Sequence, residues 1–264
     1  MSISEEIDGG PPIKASRREG MAGLAKGLAI IEAFDLRHPQ LTVSEAAAAT
    51  GTTPASARRC LLTLEELGYL SHDGKYFRPT PRMMRLSASY ANTSSLTVLA
   101  QPCLVAVRDE LDESASLAVL DDGHALFVAR AEATRIVSAG VRVGARLPAY
   151  ASSTGRVMLA ALPDRELEDY LARCRPQPMT PNTPATLLQV RQKIQQAREE
   201  DAAFTDEELE PGVLTVAVPV RDNLGRTHAA MSVSTSTARS SLEVMREKYL
   251  PVVRREAVRL GRML

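Results

Sequence analysis

Between Leu41 and Pro79 signals for helix and for strand follow one another in an order that few folds can satisfy. Thr42-Val-Ser-Glu-Ala-Ala-Ala-Ala-Thr-Gly51 predicts a short Ala-rich helix, opened by Ser44 as N-cap and stopped by Gly51. A serine hydroxyl satisfies free amides at a helix start, and glycine takes the left-handed conformation past a helix end without steric cost. Thr53-Pro54 opens a second helix, with Thr as cap and Pro at the first helical position. Ala57, Cys60, Leu61, Leu64 and Leu67 recur at the spacing of one buried face, and Ala55, Ser56, Arg58, Arg59 and Thr63 fall opposite. Beyond Gly68, the run Tyr69 to Arg78 predicts two short strands turning at Asp73-Gly74. Helix, turn, helix and hairpin in this order describe a winged helix-turn-helix.

The chemistry of the outward face fits DNA. Arginine forks match guanine edges or phosphates, while Ser and Thr reach phosphates at short range. Thr53, Ser56, Arg58, Arg59 and Thr63 are therefore the candidate DNA contacts, with Lys75 and Arg78 beside the hairpin turn as phosphate contacts of a wing. Two arginines on a helix are by themselves usually no more than a solvated face, and it is the ordered elements around them that tip the reading towards DNA. Winged helices that bind proteins keep the same core, so the alternative is a ligand-binding module whose winged helix makes protein contacts.

A chain of 264 residues predicts two domains. Its 44% hydrophobic and 24% charged residues are ordinary for soluble globular protein. No apolar run approaches the roughly 18 residues of a membrane span, and no basic-then-apolar leader opens the chain. The expectation is a cytoplasmic protein with no membrane partner. Lys plus Arg equals Asp plus Glu at 32 each, so total charge gives no support to nucleic-acid binding. Between Arg17 and Arg85 the basic residues number 10 and the acidic 7, a slight local surplus. A monomer so weakly charged binds DNA poorly at physiological salt, which predicts a homodimer, or a dimer of dimers, presenting paired helices to a palindromic operator. Cys60, Cys103 and Cys174 form no CxxC pair or Cys/His cluster, and no metal is expected.

Along the chain, residues 1–19 read as a disordered tail and 20–80 as the winged helix-turn-helix, with a first helix across Met21 to Phe34. Residues 81–95 read as a linker helix and 96–264 as a second domain. There a helix from Leu96 to Leu111 gives way to strands at Ser116–Leu120, Ala125–Arg130 and Ile136–Gly140. Helices follow at Ser153–Leu162, Asp164–Cys174 and Thr186–Asp201, then strands at Leu214–Arg221 and Thr227–Ser234. A last helix from Ala238 to Leu264 is kinked at Pro251. Hairpins at both ends with helices between them predict an α+β fold on an antiparallel sheet.

Catalytic chemistry is not apparent. His38, His72, His124 and His228 stand singly in or beside turns, no GxSxG elbow is present, and Ser152-Ser-Thr-Gly155 has no evident His/Asp pair to activate a hydroxyl. No catalytic residue and no cofactor are expected. The same stretch suits binding, because hydroxyls and a glycine at a helix start leave amides free for a carboxylate. Ser152 or Ser153 could equally be a simple cap. Ser232 and Ser234 alternate with Met231 and Val233 on a strand, so both hydroxyls point to one side.

From about Gly20 to Leu264 the chain resembles the IclR family of bacterial transcriptional regulators. The resemblance rests on Lys26-Gly-Leu-Ala-Ile-Ile-Glu32, the run from Arg58 to Tyr69 and Arg146-Leu-Pro-x-Tyr-x-x-Ser-x-Gly-Arg156. Asp206-Glu-Glu-Leu-Glu-Pro-Gly212, Val216-Ala-Val-Pro219 and Ser232-Val-Ser-Thr235 extend it. Pro81 to Leu86, Arg135 to Gly144 and Leu250-Pro251 are similar to the branch governing catabolism of protocatechuate, para-hydroxybenzoate and related aromatic acids. The resemblance implies a C-terminal effector domain of GAF-like shape, dimers or dimer pairs, and a regulator that senses a small aromatic carboxylate. By motif it places the effector pocket on Ser153, Thr154, Thr205, Val213, Thr215, Ser232 and Ser234. The chain departs from the pattern at Asp201-Ala202, where a Gly-aromatic pair is common, at Thr205, where an acid is common, and at Thr215, where Cys or Ser is usual.

Overall fold

The computed structural model describes residues 20–35, 37–134 and 141–264, with the backbone alone at 91 and 92. The expected tail, and the strand expected at Ile136–Gly140, lie outside the described residues. The chain divides into two compact units, the first ending at Tyr90 and the second beginning at Ala91.

In the first unit, α1 (Ala22–Glu32), α2 (Val43–Ala49) and α3 (Pro54–Glu66) surround a core of Ile30, Leu41, Ala46, Ala57, Leu61 and Phe77. Strands β1 (Leu70–His72) and β2 (Phe77–Pro79) pair antiparallel, and Leu41 bonds Phe77 in both directions as a third short rung. The cap of α2 is Thr42, not Ser44. Thr42 Oγ1 accepts from the Glu45 amide while the Glu45 carboxylate accepts from the Thr42 amide. That reciprocal box satisfies two free donors where a lone serine cap would satisfy one. Thr53 caps α3 with Pro54 at its first position, as the sequence predicts.

A 3-10 turn at Pro81–Met83 leads into α4 (Met84–Thr93), and Ser94, extended in backbone, separates it from α5 (Ser95–Leu111). The helical signal across 81–95 is therefore not one continuous helix.

The second unit is built on six strands: β3 (Ser114–Asp121), β4 (His124–Ala131), β5 (Arg146–Pro148), β6 (Ala203–Asp206), β7 (Val213–Arg221) and β8 (Thr227–Ser236). Their order is β5-β4-β3-β8-β7-β6, and every neighbouring pair is antiparallel. The remaining helices are α6 (Ser153–Ala160), α7 (Asp164–Arg173), α8 (Leu187–Glu200), α9 (Leu242–Val244) and α10 (Leu250–Gly261). One sheet face carries Leu117, Val216, Val218, Met231 and Val233 against Leu104 and Val107 of α5 and Val253 of α10. Each such side chain, fully buried, contributes about 1.5–3 kcal/mol. On the other face Val157 and Met158 of α6 pack on Ala118, Phe127, Ala217 and Ala230. Ahead of α10 the chain makes a π turn at Met245–Tyr249. Pro251 offers no amide to an α-helical ladder, and the wider turn before it absorbs that loss.

Candidate DNA interface and effector face

Helix α3 buries Ala57, Leu61 and Leu64 and exposes Thr53, Arg58, Arg59 and Thr63. Among the described residues neither arginine is engaged in an ion pair or hydrogen bond, so both guanidinium groups are free to meet a partner. Ser56 differs from the other candidates. It is 7% exposed and its hydroxyl accepts from Lys26 Nζ of α1 at 3.2 Å, which turns it into the α1–α3 seam and away from the exposed ridge.

The wing is organised by one carboxylate. Asp73 Oδ1 accepts from the amides of Lys75 at 3.0 Å and Tyr76 at 2.8 Å, while Oδ2 receives Arg78 Nη1 at 2.6 Å. The Tyr76 amide, then the Arg78 guanidinium, hold the Asp73 carboxyl well below the usual carboxylate range. Gly74 at φ +98° supplies the left-handed residue of the turn. Arg78 also donates from Nε to Gln40 at 2.8 Å, so its fork is largely committed inside the wing. Lys75 is exposed, its Nζ 4.7 Å above the Tyr76 ring.

In the second unit the five effector candidates on strands share one face. Register pairs Ser114 with Ser234, Ser234 with Thr215 and Thr215 with Thr205, a row of four hydroxyls across four strands. Val213 lies two residues before Thr215 on the same side. The adjacent row runs from Arg130 through Ser116 and Ser232 to Ala217. Arg130 was not among the expected site residues. Its side chain is 9% exposed, Nη1 donates to Ser116 Oγ at 3.1 Å, and Nη2 has no hydrogen-bond partner.

The start of α6 divides its hydroxyls between two jobs. Ser152 is the cap, accepting from the Gly155 amide at 3.1 Å. Ser153 and Thr154 are buried, and Thr154 Oγ1 has no hydrogen-bond partner. Thr154 stands one turn before Met158, on the helix face that packs on the sheet. Arg156, at the end of the motif that carries the family resemblance, is structural. It donates from Nε to the Tyr150 carbonyl at 2.7 Å, to the Phe204 carbonyl from Nη1, and to the Glu208 carboxylate from Nη2. Glu208 also pairs with Lys193 at 3.2 Å, so this buried charge is fully compensated.

A winged helix with a free arginine pair, joined in one chain to a separate unit built on an antiparallel sheet, has the architecture of a two-domain DNA-binding regulator. The family model described as "Bacterial transcriptional regulator IclR C-terminal" matches residues 88–262, and "IclR helix-turn-helix domain" matches residues 23–74. The chain belongs to the IclR family, and it is a DNA-binding regulator and not an enzyme. It is 38% identical over 237 residues to the Pca regulon regulatory protein of Pseudomonas putida, covering 88% of this chain and 80% of that one. It is 35% identical to the p-hydroxybenzoate hydroxylase transcriptional activator of Acinetobacter baylyi over 250 residues, 92% of each. A solved structure, a double mutant of the PobR inducer-binding domain from Acinetobacter in complex with 3-hydroxybenzoic acid, superposes with a TM-score of 0.61 at 29% identity. That match covers 65% of this chain and all of the other. Among the described residues no helix is long and apolar enough to cross a membrane.

Proposed function

We propose that this regulator senses a small aromatic carboxylate of the hydroxybenzoate type and thereby controls a catabolic operon through a palindromic operator. The observation that carries the effector class is the 38% and 35% identity, over most of the chain, to regulators named for the Pca regulon and for p-hydroxybenzoate hydroxylase. In this reading Thr53, Arg58, Arg59 and Thr63 of α3 meet DNA, supported by Lys75 in the wing. The effector occupies the sheet face shared by Thr205, Val213, Thr215, Ser232 and Ser234, with Ser153 and Thr154 of α6 at its edge. Alternating hydroxyls and small apolar groups suit a ring with polar ends. The protein acts in the cytoplasm, as a homodimer or dimer of dimers, with residues 20–80 as the DNA-binding domain and 96–264 as the effector domain. The test is the shift in melting temperature of the full chain with para-hydroxybenzoate, protocatechuate and pyruvate, read beside a mobility shift on promoter and random DNA. Stabilisation by an aromatic acid and selective promoter binding are expected; stabilisation by pyruvate alone overturns the effector class.

A further inference from the structure

Arg130 is a cation on a face of the sheet where the neighbouring strand positions carry hydroxyls and small apolar groups. Its placement there is the work of a β-bulge. Around the Asp121–His124 turn, Ala118 pairs with Phe127, and an uninterrupted ladder would set Ser116 opposite Ala129. The register instead shifts between Leu117 and Ala118, leaving Val128 as the extra residue, and Ser116 meets Arg130. Without that bulge Arg130 would point into the face packed by α5 and α10, where Ala129 and Ala131 now sit. Bulges recur beside binding sites because they re-aim one side chain in this way.

The guanidinium so delivered is only half satisfied. Nη1 has the Ser116 hydroxyl, while Nη2 is buried without a hydrogen-bond partner. Glu132 Oε1 stands 3.8 Å from Nη2, in ion-pair range yet beyond hydrogen-bond length, and the Glu132 side chain is 63% exposed. Burial pushes the Arg130 guanidinium below its ordinary value, the direction expected of a charge short of compensation. A buried cation with an open donor costs stability unless an anion completes it.

We propose that Arg130 is the residue that binds the effector's carboxylate, with the ring extending from β3 across β8. The inference rests on the aromatic-carboxylate reading and deepens it. A carboxylate accepting from Nη2 lies beside Ser116, and Ser232 is one strand further on, about 5 Å away. Thr205 is three strands from Ser116, about 14 Å, which a single benzoate ring does not bridge. The start of α6 is the weaker anchor. Ser152 already holds the Gly155 amide with its side chain and the Arg156 amide with its carbonyl, and what remains there is uncharged.

The experiment measures binding of para-hydroxybenzoate and of its neutral amide, para-hydroxybenzamide, to full-length wild type, Arg130→Met and Arg130→Lys by calorimetry, with melting temperatures alongside. Wild type should prefer the acid. Arg130→Met should melt at or above the wild-type temperature without ligand, bind the acid about 100-fold more weakly and bind the amide unchanged. Arg130→Lys, which keeps the charge but not the fork, should lose about 10-fold on the acid alone. Should Arg130→Met not fold, the acid-to-amide ratio of Arg130→Lys decides. An unchanged ratio in a folded variant, with wild type binding the acid, overturns the role of Arg130 and leaves the effector class standing. Wild type that binds neither para-hydroxybenzoate nor protocatechuate overturns the effector class, and this inference with it.

Discussion

The backbone of Ala149 lies so close to Gly155 that a Cβ on residue 155 would stand 2.2 Å from the Ala149 Cα and 2.3 Å from its carbonyl oxygen. Both partners are main chain, so no side-chain rotation relieves the clash. Gly155→Ala should push α6 away from the loop and strain the buried Arg156–Glu208 pair beside it. The expected loss is about 3 kcal/mol or more, the upper range for overpacking, seen as a fall of roughly 6–12 °C in melting temperature. A melting temperature within 1 °C or so of wild type would show that α6 and the Ala149 backbone can separate at no cost to stability.

The DNA-facing prediction concerns α3. Arg58 and Arg59 are exposed and contribute nothing to the core of the first unit, so Arg59→Ala should leave stability nearly unchanged. Operator affinity should fall by about 1–3 kcal/mol for a lost base contact. If Arg58→Ala and Arg59→Ala both bind the operator like wild type, α3 is not the reading helix.

In the wing, Lys75 is exposed with its Nζ over the Tyr76 ring, whereas Arg78 is held by Asp73 and Gln40. Lys75→Ala should therefore weaken binding to promoter and random DNA about equally and lower the salt slope by about 1. Arg78→Ala should act chiefly by loosening the turn. A loss confined to one operator base pair on removal of Lys75 would identify a base contact in place of a phosphate contact.

How far the sequence reveals this molecule depends on whether the deciding interaction is local. Thr53-Pro54 and Asp73-Gly74 are local signals, and α3 and the hairpin follow from them. Ser44 misleads because the reciprocal bond between Thr42 and Glu45 competes for the same helix start. The edge strands β5 and β6 are only 3 and 4 residues long and have too little alternation to register. Ser232 and Ser234 show their common side by period alone. Arg130 cannot be placed that way, since simple alternation from the Asp121–His124 turn assigns it to the wrong face. Only the bulge at Val128, a property of the paired strands, brings it beside Ser116.

Asp73 also predicts a pH dependence. Its carboxyl is held below the unfolded value, so the stability it contributes is fully present above about pH 4, the ordinary carboxylate range, and is lost as pH falls towards the folded value. Asp73→Asn should therefore lower the melting temperature of the winged-helix unit at pH 7, and the difference from wild type should shrink below about pH 4. A difference that stays constant from pH 7 to pH 3 would mean that the carboxylate's charge has no part in holding the turn.

The remaining prediction separates hydroxyls from charge in the effector site. Ser232 adjoins Ser116 in the Arg130 row, and Ser234 pairs with Thr215 in the row beside it. A neutral hydrogen bond contributes about 1 kcal/mol net and one to a charged oxygen about twice that. The double variant Ser232→Ala/Ser234→Ala should accordingly lose one to a few orders of magnitude, roughly, in para-hydroxybenzoate affinity by calorimetry. Ser232, nearer Arg130, should carry more of the loss for the acid than Ser234 when each is changed singly. Promoter binding without ligand should persist in the double variant, since both residues lie in the second unit and α3 in the first. Wild-type affinity in the double variant would move the effector off this sheet face, whatever its chemical class.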